Sequence, residues 1–455
     1  MGAQALAVLH GRAHSGRRRR PVSPNHTKTP YPPGPPPRER GGGGGAGAGG
    51  GRGRSRLGCR GACLYGHLPA PVMVPASKLS LPDARDGALP LPVDALCEIL
   101  LRLPAKELCR LRTVCRPWRA LLSDPHFIAA HAARHGPLIV LGYDSARYNP
   151  AYRNEGIICD IMDLSGHIVK HVHGELIGRV MSVQLNLVCA MRGFKERYVL
   201  INPATGGVCA LPEGFAEEHV VPKGRHLGCY KAFTAFGKVA STGEIKVLRL
   251  LDNSDDRHPV QLCEIVTVDG SNHARWRGKK APPEILRLED PWTSVVMDGT
   301  VYILSYEPDH IASFDLLTED WRQPLRGPLS YLWDDNAEVW KNNGHWFEFS
   351  MVTLSGCLVV VHAERAYMDL WFLIDFEKGL WVKQYSIQNC GLPAGYGRYT
   401  ACPLLVLEDG RIILTYTGYK GLIRTYNPRT KTFTDMAEVG YCVSAGLYNG
   451  SLLNH

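Results

Sequence analysis

Hydrophobic side chains recur at helical spacing between Leu91 and Phe127. Four of them occupy positions i, i+3, i+4 and i+7 of a first helix: Leu96, Ile99, Leu100 and Leu103. This spacing forms one face of an amphipathic helix. Pro104 ends that helix and suits the first turn of a second, and Pro117 can open a third that Asp124-Pro125 ends. The pattern therefore predicts three short helices.

The same run carries more large apolar side chains than three short helices can cover. The surplus comprises Leu91, Ile99, Leu100, Leu103, Pro104, Leu108, Val114 and Trp118. A unit of about 40 residues is near the lower size limit at which a core stabilises itself. Apolar surface that stays exposed on so small a unit usually marks a partner. The alternative is that the three helices belong to a larger, ordinary core.

From Pro137 onward the pattern changes from helical spacing to short strands. Apolar or alternating runs are bounded by Gly, Asn, Asp and Pro, which is typical of β-strands joined by turns. Examples are residues 138–142, 244–251, 300–306, 357–363, 370–376 and 411–417. The sequence therefore predicts a mainly β fold with a small N-terminal α unit.

The predicted strands carry a weak internal repeat in which Asp or Asn begins a turn that closes on an apolar or aromatic residue. Six units begin at Asp163, Asn202, Asp269, Asp315, Asp375 and Asn427. Such a unit suits a hairpin whose turn uses Asx and Gly, with the closing Trp or Phe packed between neighbouring sheets. A spacing of about 50 residues with four strands per unit indicates a kelch-like β-propeller, so we expect six blades. A pair of β-sandwiches with similar turns is the alternative.

The first 88 residues differ in composition and carry the net charge. Residues 1–72 hold twelve Lys and Arg against one acid, Glu39, whereas the rest of the chain nets −2 within a total of +9. Arg17–Arg20, a proline-rich stretch and a glycine run predict a disordered tail. The folded part is therefore not expected to bind nucleic acid. The arginine run is interpreted as a nuclear import signal, part of a transit peptide or an inert tail, and Met73 is an alternative start.

The stretch from Leu91 to Phe127 closely resembles an F-box. The matching positions are Leu91-Pro92, Asp94, Leu96, Glu98-Ile99-Leu100, Leu103-Pro104, Leu108, Val114-Cys115, Trp118-Arg119 and 123–127. Ala95 departs from the family pattern, which more often has a larger aliphatic residue there. The resemblance implies docking onto the Skp-type adaptor of a cullin-RING ubiquitin ligase. The residues expected at that interface are Leu91, Pro92, Ile99, Leu100, Leu103, Pro104, Leu108, Val114 and Trp118.

The rest of the chain is similar to the F-box-associated domain of plant F-box proteins. The similarity is carried by residues 202–212, 230–250, 263–277, 291–304 and 354–387. Together the two resemblances imply the substrate-recognition subunit of an SCF-type ligase, which does no bond-making itself and acts by proximity. The chain is then divided into a basic tail (1–88), an F-box (89–128), a linker (129–136) and an F-box-associated propeller (137–455).

Motifs for catalysis, cofactors or metals are missing from the sequence. It has no GxxxxGK[ST] phosphate loop and no GxSxG nucleophile motif. His131 and His135 lie four residues apart but lack the Glu of metalloproteases, so a solvated helix is expected. The alternating His167, His171 and His173 are expected on a solvent-facing strand, and Asp334-Asp335 in a solvated turn. We therefore expect a non-catalytic protein without a cofactor or metal.

The compartment is inferred from the cysteines and the hydropathy. The fourteen cysteines include no CxxC pair, which favours free thiols in a reducing compartment. No run of 18 apolar residues is present, so no membrane helix is expected. We expect the protein in the cytoplasm, the nucleus or both, with neither nucleic acid nor membrane as a partner.

The target protein is expected to bind the long excursions of the propeller, at 213–229, 251–260, 277–290 and 329–349. Trp333, Trp340 and Trp346 crowd the last excursion, either as an exposed anchor or as the core of the loop. Basic residues of these excursions would suit an acidic partner, although such runs are usually solvated: Lys223, Arg225, Arg277, Lys279 and Lys280. A second group of tryptophans, Trp276, Trp321 and Trp381, occupies the repeat position and is expected in the core. Two other functions stay open, a propeller scaffold without ubiquitin transfer and a propeller enzyme.

Overall fold

The protein folds as a helical unit followed by a six-bladed β-propeller. The computed structural model describes residues 92–144, 156–174, 178–192, 197–219, 230–252, 261–268, 274–288, 291–307, 309–328, 349–363, 367–388, 390, 399–418 and 420–453. The predicted tail and Leu91 lie outside these ranges.

Four helices form the helical unit. They are α1 (Val93–Leu100), α2 (Ala105–Leu111), α3 (Arg116–Leu122) and α4 (Pro125–His135). Pro92 and Pro104 are extended residues that precede α1 and α2, and Pro117 lies in the first turn of α3. Asp124 caps α4, because its carboxylate accepts the backbone N–H of His126 at 2.7 Å. The three predicted helices are present, and α4 continues through residues 129–135, which the sequence assigned to the linker.

Within the described ranges, twenty-five strands follow. The first is β1 (Leu138–Tyr143), then β2 (Ile157–Met162), β3 (Ile168–His173), β4 (Gly178–Gln184), β5 (Leu187–Arg192), β6 (Arg197–Ile201), β7 (Val208–Ala210), β8 (Lys231–Lys238), β9 (Ile245–Asp252), β10 (Gln261–Val268), β11 (Arg277–Lys279) and β12 (Ser294–Met297). The remainder are β13 (Thr300–Leu304), β14 (His310–Asp315), β15 (Asp320–Trp321), β16 (Leu325–Arg326), β17 (Phe349–Leu354), β18 (Cys357–Ala363), β19 (Tyr367–Asp375), β20 (Leu380–Gln388), β21 (Tyr399–Val406), β22 (Ile412–Gly418), β23 (Gly421–Asn427), β24 (Thr432–Val439) and β25 (Cys442–Tyr448). Each strand run predicted from the sequence overlaps one of these strands.

Antiparallel pairing groups the described strands into five sheets, and the eight-stranded one consists of two four-stranded blades joined by the single pair Gly418 and Cys442, which gives six blades. Blades 1 to 5 are β4–β7, β8–β11, β12–β16, β17–β20 and β21–β24, and blade 6 is β25-β1-β2-β3. The innermost strands β4, β8, β12, β17, β21 and β25 contact one another in that order, and β25 contacts β4 again. The ring is closed by β25, the last strand, which pairs with β1 so that Tyr448 faces Leu138. The predicted propeller with six blades is confirmed.

The hydrophobic core lies between the blades. Separate clusters of buried side chains join blades 1 and 2, 2 and 3, 3 and 4, 4 to 6, and 6 and 1. Each sheet is therefore apolar on both faces, which explains why strands such as β9 and β18 are almost continuously buried.

The six sequence repeats are the hairpins between the third and fourth strands of the six blades. In five of them the Asx side chain accepts a backbone N–H two or three residues later, as Asp315 does from Leu317 at 2.8 Å. Asp269, which begins the remaining repeat, lies outside the described residues. Gly299 and Gly356 have φ of +74° and +76° in the turns between first and second strands, a conformation that favours glycine.

The closing tryptophans of the repeat bridge neighbouring blades. The indole N–H of Trp276 donates to Pro212 O at 2.7 Å, and that of Trp381 donates to Arg326 O at 2.8 Å. Trp321 does the same to Lys280 O at 3.0 Å. Each acceptor belongs to the end of the preceding blade. The predicted packing of these rings between sheets is confirmed, with Trp321 partly exposed and the other two buried.

The propeller has two faces with different connections, because an antiparallel meander reverses direction at every strand. The turn face carries the short turns between first and second strands and between third and fourth strands. The loop face carries the connections from second to third strands and from blade to blade. The helical unit joins the turn face, where β1 begins at Leu138 beside the end of β25.

Candidate docking faces

A compact apolar core holds α1 to α4 together. Its buried members are Leu96, Cys97, Leu100, Leu108, Leu121, Leu122, Phe127 and Leu453. All but Leu453 come from the helices, and Leu453 follows the last strand of the propeller. Leu100 and Leu108 are 1% and 0% exposed, so they support the helical unit from inside. They are therefore not part of the exposed surface in this structure, and their predicted contact with the adaptor stays a prediction.

Other apolar residues of the helical unit remain at the surface. Ile99 is 49% exposed and Val114 is 63% exposed, and Pro92 and Pro104 are also exposed. Leu103 and Trp118 are half-buried against the core. We call these six residues the apolar set; they are Pro92, Ile99, Leu103, Pro104, Val114 and Trp118. They include every described residue predicted to face a partner except Leu100 and Leu108.

Basic side chains accompany the apolar set. Exposed cations of α1 to α3 and their links are Arg102, Lys106, Arg110, Arg116 and Arg119. Only Arg110 among these five has an ion-pair partner within the described residues, Glu107 at 2.9 Å. The helical unit thus exposes these five cations together with two acids of α1, Asp94 and Glu98.

Two histidines tie α4 to the link between α1 and α2. The Nε2–H of His131 donates to Leu103 O at 2.9 Å, and that of His135 donates to Leu101 O at 3.0 Å. Burial lowers the pKa of His131, which favours its neutral form. The expectation of a solvated helix is wrong for His131, which is 5% exposed, because its ring packs under the α1–α2 link.

All four long excursions are connections whose described flanking strand ends lie on the loop face. Those at 213–229, 277–290 and 329–349 connect consecutive blades, and that at 251–260 connects β9 to β10. The structure describes parts of them, at 213–219, 251–252, 277–288 and 349. The candidate residues Trp333, Trp340, Trp346 and Asp334-Asp335, together with Lys223 and Arg225, lie outside the described residues. The loop face is opposite the helical unit, because the helical unit joins the turn face at Leu138.

A buried ion pair fixes the start of the first excursion. The Nε–H of Arg249 donates to Glu264 Oε2 at 2.8 Å, and its Nη2 donates to Gly214 O at 2.6 Å. Glu264 Oε1 accepts the N–H of Ala216 at 2.7 Å. The guanidinium also stacks on Trp276, 4.0 Å from the ring centroid. Sequence reasoning missed this pair, although the single Arg inside the apolar run of β9 was an indication.

The described basic residues predicted to attract an acidic partner are paired within the protein. Lys279 lies 2.7 Å from Glu319, which also accepts from Lys246 at 2.8 Å and from Arg277. Lys280 lies 3.6 Å from Asp320. These cations pair with acids of blade 3, an arrangement that was not among the predictions from the sequence, which were an acidic partner and a solvated face.

The described residues hold no cluster of three or more His, Cys, Asp or Glu side chains placed for a metal ion. His171 contacts Asp160 at 2.7 Å from the exposed outer strand of blade 6. Burial raises the pKa of Cys189 and of Cys390 to about 11, which disfavours their reactive thiolates. Among the described helices, none is both long and apolar enough to cross a membrane.

Comparison with known families assigns both parts of the chain. Residues 89–129 match the F-box domain, and residues 155–441 match the F-box associated beta propeller domain. The second match alone covers more than half of the 455 residues.

Relatives in Arabidopsis thaliana carry the F-box in their names, and two of the three named here also carry the kelch repeat. An F-box/LRR-repeat/kelch-repeat protein is 27% identical over 54% of this chain, and the aligned part covers 62% of the relative's own length. An F-box/kelch-repeat protein is 27% identical over 65% of this chain and 79% of its own length. A third, an F-box protein, is 22% identical over 77% of this chain and 88% of its own length.

Proposed function

The chain belongs to the F-box proteins with an F-box-associated β-propeller domain, and we propose that it is the substrate-recognition subunit of an SCF-type cullin-RING ubiquitin ligase. Proteins of this family are typically non-catalytic adaptors. In this proposal the F-box docks the Skp-type adaptor and the propeller binds a target protein. The described cysteines are all free thiols, which suits a reducing compartment such as the cytoplasm or nucleus.

One observation carries the docking half of the proposal: the F-box core is closed by its helices together with Leu453, and large apolar side chains still stay exposed. Ile99 and Val114 are 49% and 63% exposed. A small domain gains nothing in solution from exposing them, and a few such anchors typically supply most of the energy of an interface. Among the nine residues proposed for the adaptor from the sequence, the apolar set is available to make that contact.

The docking half is tested by replacing exposed anchors, so that the fold is kept. We expect Ile99→Asp with Val114→Asp to reduce adaptor affinity by at least about 100-fold, because two charges would be buried in an apolar interface. Affinity is measured by calorimetry or surface plasmon resonance with purified Skp-type adaptor. The control is Leu185→Asp, a leucine that is 47% exposed on the propeller. Wild-type affinity in the double variant, with control and variant equally folded, would exclude this docking face.

The recognition half rests on the separation of the two faces. The long excursions leave the loop face, whereas the F-box joins the turn face, so a bound target and the adaptor would not compete for space. Three tryptophans in the excursion at 329–349 are proposed as contacts with the target: Trp333, Trp340 and Trp346. A rigid propeller between the faces would hold the target at a constant position relative to the ligase.

The target is sought by proximity labelling of the full chain under proteasome inhibition, compared with the Ile99→Asp/Val114→Asp variant. A true target is labelled by both proteins. Without inhibitor it accumulates only with the variant, because the variant still binds the target but no longer brings it to the ubiquitin ligase. A propeller scaffold is the second candidate function. It would be indicated if adaptor and cullin bind normally while the reconstituted complex transfers no ubiquitin to any labelled protein.

A further inference from the structure

The segment after β25, residues 449–453, places two neighbouring leucines in two different hydrophobic cores. Leu453 is fully buried in the F-box core, beside Leu100, Leu108 and Leu122. Leu452 packs instead against the cluster that joins blades 6 and 1. These two leucines lie more than 300 residues from the F-box helices in sequence. The segment therefore touches both domains at once.

Polar contacts hold the segment to the F-box. Arg112, at the end of α2, donates from Nη2 to Leu122 O at 2.6 Å and also to Leu453 O. The thiol of Cys109 lies 3.9 Å from Leu452 O, a weak contact. One guanidinium thus joins the end of α3 to the segment, and a charge-assisted hydrogen bond of this kind is stronger than a neutral one.

The path of the segment is constrained on the propeller side as well. The N–H of Asn449 donates to Asn186 Oδ1 at 2.7 Å, in the turn between β4 and β5. A Cβ on Gly450 would lie 2.6 Å from the ring of Tyr448, so a side chain there would force either the segment or this ring to shift. Ser451 accepts the N–H of Leu453 on its hydroxyl at 3.0 Å and turns the backbone toward the F-box. The position of Leu453 is thereby set by β25 and blade 1.

We infer that residues 449–453 couple the F-box to the closed propeller, so that the docking unit is fully formed only when β25 is in place. The physical reason is size, because a four-helix unit this small is marginal and Leu453 fills a position in its core that the helices leave open. Loss of closure would withdraw Leu453 and loosen α1 to α3. A chain with an incomplete propeller would then present a poorly ordered docking face.

Hydrogen exchange of the free full-length chain tests this coupling. Leu453→Ala is expected to speed amide exchange in α1 to α3 at least about tenfold, as for other large-to-small core changes. Leu453→Met should keep exchange within about threefold, because it conserves volume. Leu373→Ala, in the core between blades 3 and 4, is the matched control and should leave the F-box amides unchanged.

Leu452→Ala separates coupling from simple core loss, because this side chain packs on the propeller and not in the F-box core. We expect it also to speed exchange in α1 to α3, by a smaller factor than Leu453→Ala. F-box amides that respond to Leu453→Ala but not to Leu452→Ala would overturn the coupling, as would no response to either. The experiment contains no adaptor, so its failure is distinct from failure of the proposed docking.

Discussion

At the scale of the residue, one carboxylate, Glu319, forms ion pairs that join two blades. Glu319 lies in the hairpin of blade 3, where desolvation would raise its pKa. Hydrogen bonds from Lys246, Lys279 and Arg277 of blade 2 outweigh that effect and lower the pKa of Glu319 to about 2. The carboxylate is therefore stabilised in its charged form, and it offsets three cations that would otherwise repel one another.

Glu319→Gln tests this tie through the pH dependence of stability. The folded-state pKa lies below the unfolded value of about 4.3, so the contribution is complete at neutral pH and disappears as pH falls from about 5 toward 2. We expect the variant to lose about 1–3 kcal/mol in urea unfolding at pH 7 and a clearly smaller amount near pH 3, where the unfolded state is already protonated but the folded state is still ionised. Glu217→Gln is the control, because its pair with Arg275 is exposed on both sides. A stability difference that is the same at both pH values would contradict the assignment.

At the scale of the element, the repeated hairpin joins blades 2, 3 and 4 to the blade before. The Asx turn sets the approach of the fourth strand, and the closing tryptophan then buries its ring and donates its N–H to a carbonyl of the preceding blade. Such a bond satisfies a backbone acceptor at the end of a strand, which a purely apolar residue could not do. Tryptophan at this position therefore supplies packing and a directional link together.

Trp381→Phe removes the directional link and keeps an aromatic ring. We expect a loss of about 1–2 kcal/mol in the free energy of unfolding, since the Arg326 carbonyl loses its donor, and about 3–5 kcal/mol for Trp381→Ala. The measurement is chemical denaturation followed by circular dichroism. Phe376→Ala, in the same hairpin and 45% exposed, should cost less than about 1 kcal/mol. Equal losses for Trp381→Phe and Phe376→Ala would show that the hydrogen bond contributes nothing.

For the whole molecule, ring closure depends on how closely β25 approaches blade 1. A Cβ on Gly446 would lie 2.7 Å from Val183, including its backbone oxygen. The closing strand therefore needs glycine for close approach to β4, rather than for an unusual backbone angle. This contact joins the last strand both to the first blade and, through the residues that follow, to the F-box.

Gly446→Ala is expected to push β25 away from β4 and lower the midpoint of thermal unfolding by several degrees, which corresponds to about 1–3 kcal/mol. Differential scanning calorimetry measures the change. Gly207→Ala is the control, because its Cβ would meet only the side-chain oxygen of Thr205, at 3.1 Å. An unchanged midpoint in Gly446→Ala would mean that the closing strand tolerates displacement.

Local chemistry decided much of this protein from the sequence alone. The change from helical spacing to strand runs, the proline boundaries of α1 to α3 and the six Asx hairpins depend on residues close together in the chain. Backbone propensity and turn geometry act over a few residues, so the sequence predicts them. The repeat count also predicted the six blades.

Long-range packing decided the rest. Leu100 and Ile99 share the predicted apolar stripe, yet only Leu100 is buried, because the neighbouring helices and Leu453 cover one part of that stripe. The Arg249–Glu264 pair, the three cations around Glu319 and the return of residues 449–453 to the F-box join residues that are distant in sequence. Periodicity shows that a side chain needs a partner, whereas only the tertiary arrangement determines which residue meets that need.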